Sequence, residues 1–545
     1  MDGSRNATAF LDMLFLHVPK RNSYSRSIGS FSFILYPPIG LLGLADYLRQ
    51  NDLSSRILHL AVEEMLDSSC SVQTILDRYP ASIVGLDLHW HFQAYDVIET
   101  ARKIRQSHPE VSILLGGITA SFFADEILRE FPFIDFVIRG DAELPLRELI
   151  LQRRSFQNYS TVPNLAYRAG DRVYKNPVTY VADTAMLERI RFTDFTLMEN
   201  YRTYIDYFSR YIRLHSSQES LQSFLFAKHS SFPVFIGRGC AYDCSFCGGS
   251  HDVHIQIGSR TTTAVQSVES VLASIRDLVD FGFEFACLTS DCIPPHRADA
   301  FYVPILDGIA QEGLRIGIEV ERNFLPSAQF LSSFSKLSCK DSFITLTLHT
   351  HNEHVRRVNH VHRYTNCELE AWLERAEALG VSTRVCFTCG LPFESQQDLE
   401  GMDRYQQSLR KRFKKVHLRT SMIEIEPGSG MSRNPEKYGV QPQRTTFLDY
   451  YRYHGRTDMN HWSVLGYDRA FCPREGEVKK FYCHHFCNRF GPGWVSPIVC
   501  KAFGTLRLAG LFPQADKLLS VIGRLQRAGE RGGYADAAPV GRQEQ

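Results

Sequence analysis

Short apolar runs, each followed by a polar stretch with helical spacing, recur along the first part of the chain. "DMLFLHV" (12–18), "SRILHLA" (55–61), "SIVGLDL" (82–88), "SILLGG" (112–117) and "DFVIRG" (135–140) are near-continuous in apolar residues. That is how strands covered on both faces read, so the pattern predicts a parallel sheet with crossover helices. Five such units predict a Rossmann-like, doubly wound α/β domain over residues 1–185. Such sheets bind ligands in the crevice at the carboxyl ends of their strands, where Gly116, Gly117 and Gly140 stand. These glycines read either as room for a cofactor tail to approach the backbone or as ordinary strand-end turns.

A second alternating region holds "FPVFIGRG" (232–239), "FACLTSD" (285–291), "RIGIEVE" (315–321), "SFITLTLH" (342–349), "STRVCFTCGLP" (382–392) and "VHLRTSMIEIEPGS" (416–429). Helical patterns such as 267–281 and 366–380 separate them. Six βα units predict a partial or complete βα (TIM-type) barrel over 186–430. Strand signals fade from about 430. Residues 431–525 are expected to be mainly helical and to close the barrel mouth. The tail 526–545, rich in Gly, Arg, Ala and Gln, is expected to be disordered.

Composition narrows the class. A chain of 545 residues with 44% hydrophobic content buries several cores, and a formal net charge of +1 offers no argument for a nucleic-acid partner or an anionic membrane. The first residues lack a signal-peptide pattern, and no apolar stretch approaches the roughly 18 residues that span a bilayer. Fourteen cysteines without a regular framework point to reduced thiols in the cytoplasm.

Three of those thiols are concentrated in "RGCAYDCSFCGGS" (238–250), where Cys240, Cys244 and Cys247 follow a C-x3-C-x2-C spacing after the first barrel strand. Clustered soft thiolates favour zinc or an iron–sulfur cluster. Zinc would need a fourth ligand, for which His251 or His254 is available. A cluster needs a thiolate for each iron unless one iron is left to an external ligand. Farther on, Cys472, Cys483, Cys487 and Cys500, with His484 and His485, read as a second metal site or as packed thiols. The histidine-rich stretch 348–362 reads as a solvated helix.

The cysteine spacing, with Phe246 before the last thiol, resembles the radical S-adenosylmethionine (SAM) superfamily. The resemblance implies that Cys240, Cys244 and Cys247 hold a [4Fe–4S] cluster whose fourth iron is chelated by SAM, so the missing thiol is a binding site. Reduction then cleaves SAM to a 5′-deoxyadenosyl radical. The same likeness places Thr289, Ser290 and Asp291 at the SAM-amino turn, departing from the usual Gly-Gly-Glu. It puts Glu319 and Glu321, which read equally well as surface ion-pair residues, near the SAM ribose or methionine, with Gly248 and Gly249 beside the cluster. "CGLPFES" (389–395) resembles the family's "GLPGE", with Phe393 in place of Gly.

A Rossmann-like domain ahead of such a barrel is the layout of cobalamin (B12)-binding radical SAM enzymes. "YPPIGLLGLADYLR" (36–49) and "GDAELPLREL" (140–149) are similar to their segments. "GLDLHW" (85–90), "CGGS" (247–250) and "EPGSGMSRNPEKYGV" (426–440) resemble the class B C-methyltransferase branch that includes the clorobiocin pyrrole methylase. "DLHWHF" (87–92) begins like the D-x-H-x-x-G cobalt-ligating signature, but Phe92 replaces the glycine and the motif follows the third strand. His89, Trp90 and His91 are therefore expected to line the corrin without a histidine on cobalt, while ligation by histidine and plain packing stay open. Gly116, Gly117 and Gly140 would flank the cofactor tail. The resemblance, over about residues 10–440, implies a methyltransferase acting on a carbon of a small or carrier-protein-bound natural-product intermediate, with a flavodoxin- or ferredoxin-type electron donor. A cyclase or ring-rearranging enzyme is the alternative, and a cobalamin sensor or zinc scaffold the non-enzymatic one.

Overall fold

The computed structural model describes residues 10–19, 38–67, 69–155, 157–211, 231–289, 292–455, 467–469 and 477–478. Five parallel strands open it: β1 (Leu11–His17), β2 (Ser55–His59), β3 (Ala81–Asp87), β4 (Ser112–Gly116) and β5 (Phe136–Ile138). Their order is β2-β1-β3-β4-β5, so the direction of winding reverses between β1 and β3 and leaves a crevice at their carboxyl ends. Every residue of β1 is buried, as its unbroken apolar run requires of a strand covered on both faces. Alternate residues serve two cores. Met13, Phe15, Ile83 and Leu114 pack with the helix Ile39–Arg49. Leu14, Leu16, Val84 and Ile113 pack with the helix Ala94–Ser107.

An antiparallel hairpin, β6 (Leu165–Ala169) and β7 (Arg172–Lys175), extends this sheet beyond the five expected strands. It turns at Gly170, φ +60°. Most of β7 is exposed, so its polar sequence carries no apolar run to betray it.

The second sheet has six parallel strands in chain order: β8 (Phe232–Val234), β11 (Phe285–Leu288), β12 (Gly317–Arg322), β13 (Phe343–His349), β14 (Ser382–Cys389) and β15 (Val416–Met422). Among the described residues β15 and β8 do not pair, so this is a partial barrel. "FPVFIGRG" divides into β8 and a short β9 (Gly237–Arg238), which turns aside to pair antiparallel with β10 (Ala264–Val265). β14 stops where Gly390 takes φ +96° ahead of Pro392. β15 ends at Met422, shorter than the run to 429.

Beyond the barrel, Val440–Pro442 pairs antiparallel with Tyr467–Arg469, a small strand pair where strands were expected to fade. The helix Phe447–Gly455 joins the core of the first domain through Phe447 and Tyr450. Its Tyr451 hydroxyl donates to Glu99 at 2.7 Å, and Tyr450 donates to the Ile425 carbonyl just past β15 at 3.2 Å. The described part of this region thus braces the first domain against the barrel. Cys472, Cys483, Cys487, Cys500, His484, His485 and the tail lie outside the described residues. In the histidine-rich stretch the helix is short and its His354 is exposed, as is His360 just beyond it, although the same turn also carries buried residues. This helix, Glu353–Val358, buries Val355 and Arg356, and the Asn359 that follows is fully buried.

Candidate cofactor site between the two sheets

The cysteine loop leaves β9 through Gly239, φ +85°, where a Cβ would lie 2.9 Å from the Arg260 side chain. Cys240 is buried, Cys244 and Cys247 are half-buried, and none of the three is in a disulfide. Backbone and side chains from three directions hold the loop. Ser245 donates from its hydroxyl to Asn359 Oδ1 at 2.7 Å and from its amide to the Asn359 carbonyl at 3.1 Å. The Met431 amide donates to the Ser245 carbonyl at 2.7 Å, and the Gly248 amide donates to the Glu426 carboxylate. A side chain at Gly248 would sit 2.9 Å from Glu426 Cβ, so only glycine fits there. The Gly249 amide lies 3.3 Å from Cys247 Sγ, and an Arg363 guanidinium nitrogen 3.9 Å from Cys244 Sγ. Burial, then Glu426, then the neighbouring thiols push the Cys247 thiol well up. A cation at this position would remove that penalty.

Two groups of three metal-type donors converge to within 4.8 Å among the described residues, His91–Glu424–His454 and Cys287–Glu319–Glu321, and neither includes a loop cysteine. A single zinc would draw its thiolates to about 3.8 Å from one another, given Zn–S bonds near 2.3 Å. A cluster gives each thiolate its own iron and keeps the sulfurs farther apart. His251 turns its Nδ1 to the Cys240 carbonyl at 3.3 Å. His254 is drawn toward neutrality, its pKa pushed down to about 4 by burial, then by Arg260. The donor set fits a cluster better than mononuclear zinc.

On the barrel wall, Glu319 is buried, accepts from Thr345 Oγ1 at 2.9 Å and pairs with Arg384 at 3.0 Å. Arg384 stacks over the Phe343 ring at 4.3 Å. The exposed Glu321 converges with Cys287 and Glu319. Ser290 and Asp291 lie outside the described residues, while the preceding Thr289 carbonyl accepts from the Tyr302 hydroxyl. His349, φ +67°, lies 5.2 Å from the Phe246 ring and 3.1 Å from Thr388 Oγ1. Its pKa is pushed down to about 3 by burial, then by Arg363 and Arg356. Phe393 takes φ +65°, the conformation that favours the glycine it replaces.

At the carboxyl ends of the first sheet, Gly116 faces open space, with nothing within 4 Å of where a Cβ would be. Gly117 has a different reason to be glycine: at φ +107°, its Cβ would lie 2.7 Å from the His89 backbone. The Thr119 amide and hydroxyl both donate to the His89 carbonyl, fixing the two loops together. His89 is exposed and meets the half-buried Trp90 edge-on at 4.7 Å. His91 turns the other way and is buried against His454 and Tyr450, so it does not share their surface. Asp87 pairs with His17 at the end of β1, at 2.5 Å, and not with His89. Asp87 Oδ1 and both ring nitrogens of the fully buried His59 lack partners. The open space at Gly116, near the aromatic ring of Trp90 and the exposed His89, leaves room for a large polar cofactor. His17 and His59 escaped the sequence reading because each simply ends an apolar strand.

The two sheets meet here. Gly140, φ +69°, sits so close to Gly258 that a Cβ would lie 2.7 Å from the Gly258 Cα. Its amide donates to Ser121 Oγ at 3.0 Å. Arg238, just before the cysteine loop, pairs with the fully buried Glu143 and with Asp141 at 3.0 Å. Arg260 pairs with Asp141 and donates to the Ala182 carbonyl at 2.7 Å. Burial alone would lower the Arg238 pKa, but Glu143 and Asp141 more than offset it and hold the pKa high.

The model of the B12 binding domain matches residues 34–150, and that of the radical SAM superfamily matches residues 234–405. An uncharacterized methyltransferase of Pyrococcus horikoshii is 24% identical over 310 residues, 56% of this chain and 58% of that protein. The anaerobic magnesium-protoporphyrin IX monomethyl ester cyclase of Rubrivivax gelatinosus is 26% identical over 239 residues, 43% of this chain and 38% of the cyclase. The chain therefore spans 58% and 38% of the lengths of these two relatives. The solved structure of the radical SAM methyltransferase TsrM from Kitasatospora setae, with cobalamin and a [4Fe–4S] cluster bound, shares the fold. Its TM-score is 0.57 at 14% identity, covering 81% of this chain and 85% of that one. With an open parallel sheet ahead of a partial barrel and three thiols on the loop after the first barrel strand, the chain joins a region matching the B12 binding domain to one matching the radical SAM superfamily.

Proposed function

We propose that this protein is a cobalamin-dependent radical SAM methyltransferase, acting on a carbon of a small or carrier-protein-bound natural-product intermediate. The observation that carries the reading is the apposition of two ligand-bearing ends. His254, on the helix that follows the cysteine loop, is within electrostatic reach of His89 at the end of the first sheet, and Gly140 touches Gly258. Radical and methyl donor must both reach one substrate, and this apposition of the two sheet ends supports sites that face one another.

In this reading Cys240, Cys244 and Cys247 hold three irons of a [4Fe–4S] cluster. Gly248, Gly249, Ser290, Asp291, Glu319 and Glu321 serve SAM, and His89, Trp90, Gly116, Gly117 and Gly140 serve cobalamin. When bound, the cluster supplies the electron that cleaves SAM and the corrin carries the methyl group. The chain's own residues orient and exclude. Glu319 is held by Thr345 and Arg384, so its remaining lone pairs are aimed before SAM arrives. Arg363 stands beside Cys244 and stabilises a thiolate there. His349 stays neutral near the loop and adds no charge. A flavodoxin- or ferredoxin-type donor would supply the electron. In this reading the protein works in the cytoplasm; among the described residues no helix is long and apolar enough to cross a membrane.

The cyclase relative favours a second reading, ring formation without methyl transfer. Anaerobically reconstituted holoprotein given reductant and methyl-labelled SAM separates the two. A methyltransferase releases S-adenosylhomocysteine in proportion to bound corrin even without substrate. Release of 5′-deoxyadenosine with no S-adenosylhomocysteine would favour the cyclase. Neither product from protein loaded with both cofactors would end the enzyme reading.

A further inference from the structure

We propose that His91, His454 and Glu424 form a structural zinc site that fastens the β3 loop of the cobalamin-binding domain to the barrel exit and the C-terminal helix. The three residues come from separate elements. His91 begins the turn after β3, Glu424 follows β15, and His454 lies in the helix Phe447–Gly455. His91 is 5% exposed and His454 7% exposed, and one donor atom from each of the three converges within 4.8 Å.

His91 Nδ1 and His454 Nε2 stand 3.2 Å apart. Two imidazole nitrogens on one tetrahedral zinc, at bond lengths near 2.0–2.1 Å, are separated by about 3.3 Å. The observed spacing therefore matches the edge of a coordination tetrahedron as well as a hydrogen bond, with the carboxylate near enough to be the third ligand. Two imidazoles and one carboxylate form a borderline donor set that suits zinc better than calcium or magnesium, which take oxygen ligands.

The surroundings match a metal's outer shell. Arg444, 3% exposed, forms an ion pair with Glu424 Oε1 at 3.1 Å and holds that carboxylate charged beside the imidazoles. Its guanidinium is stacked on the Tyr453 ring at 3.9 Å. The Tyr450 ring packs 5.0 Å from His91 and helps exclude water. The site is remote in role from the cysteine loop: His91 turns away from the surface His89 and Trp90 present, so a metal here anchors the loop that carries those two. The proposal is independent of the methyltransferase reading, because it requires only the described side chains.

The test is metal analysis of the anaerobic holoprotein, counting zinc apart from cluster iron and corrin cobalt. Wild-type protein should take up and keep about one zinc against a weak chelator. Zinc-edge X-ray absorption should show a nitrogen and oxygen shell with imidazole scattering. His91→Gln and His454→Gln should each drop that zinc to near zero while the iron and cobalt counts stay unchanged. Should those variants fold poorly, titrating wild-type protein with zinc in competition with a chromophoric chelator decides alone. Failure to take up zinc would show that the imidazoles merely share a hydrogen bond and that Glu424 serves only Arg444. Zinc held through sulfur, or kept by both variants, would likewise overturn the assignment.

Discussion

Replacing Glu143 with Gln tests whether buried charge locks the cysteine loop to the cobalamin-binding domain. Glu143 is fully buried and takes Arg238 through both of its oxygens, while Asp141 is shared between Arg238 and Arg260. The four groups sum to zero charge. The substitution is nearly isosteric but leaves a net positive charge in a protein interior. Breaking a buried pair by neutralising one partner costs about 3–5 kcal/mol. Arg238 retains Asp141, so the lower end, about 3 kcal/mol, is expected here. Spent on opening the interface, that corresponds to roughly a 100-fold faster local opening, at 1.36 kcal/mol per factor of ten. Hydrogen exchange on holoprotein should show it at the amides of residues 239–258, including those of Gly248 and His251, with no change in β1 or β4. The same substitution at Glu312, which pairs with Arg276 on the surface, should leave exchange in the loop unchanged. If Glu143→Gln exchanges as wild type, Arg238 is solvated through another route and the buried-network argument is wrong.

Two further expectations concern the barrel mouth. The folded-state pKa of His349 is pushed down to about 3 and that of His254 to about 4, against 6.5 for an unperturbed histidine. The unfolded chain therefore binds more protons below pH 6.5, and stability should fall as pH drops from 6.5 toward 4. His349→Gln should flatten that slope in denaturation midpoints taken across the range, and an unaltered slope would show that His349 titrates normally. Phe393→Gly removes an exposed left-handed phenylalanine, with relief of about 1–2 kcal/mol partly offset by the entropy of glycine. The denaturation midpoint should hold or rise slightly, and a clear loss would mean that the ring makes contacts that matter more than the strain.

Much of the architecture was legible in the order of residues. Strands buried on both faces are apolar nearly throughout, so "DMLFLHV" and "SIVGLDL" announced β1 and β3, while β-branched residues alternating with apolar ones in "SFITLTLH" announced β13. Three thiols in one short loop likewise declare metal chemistry, because a local motif carries its own geometry. The exposed edge strand β7 was not legible, since an edge strand facing water needs no apolar run. Pairings between distant residues were hidden for a different reason. Nothing local links Asp87 to His17, Asn359 to Ser245, Glu143 to Arg238, or His91 to His454, because those partners are chosen by which strand ends the winding brings together. Spacing misled at "DLHWHF" for the same cause. The turn at His91–Gln93 sends neighbouring histidines in opposite directions, His89 to an open surface and His91 into a buried interface, and only the packed helix Phe447–Gly455 decides that divergence.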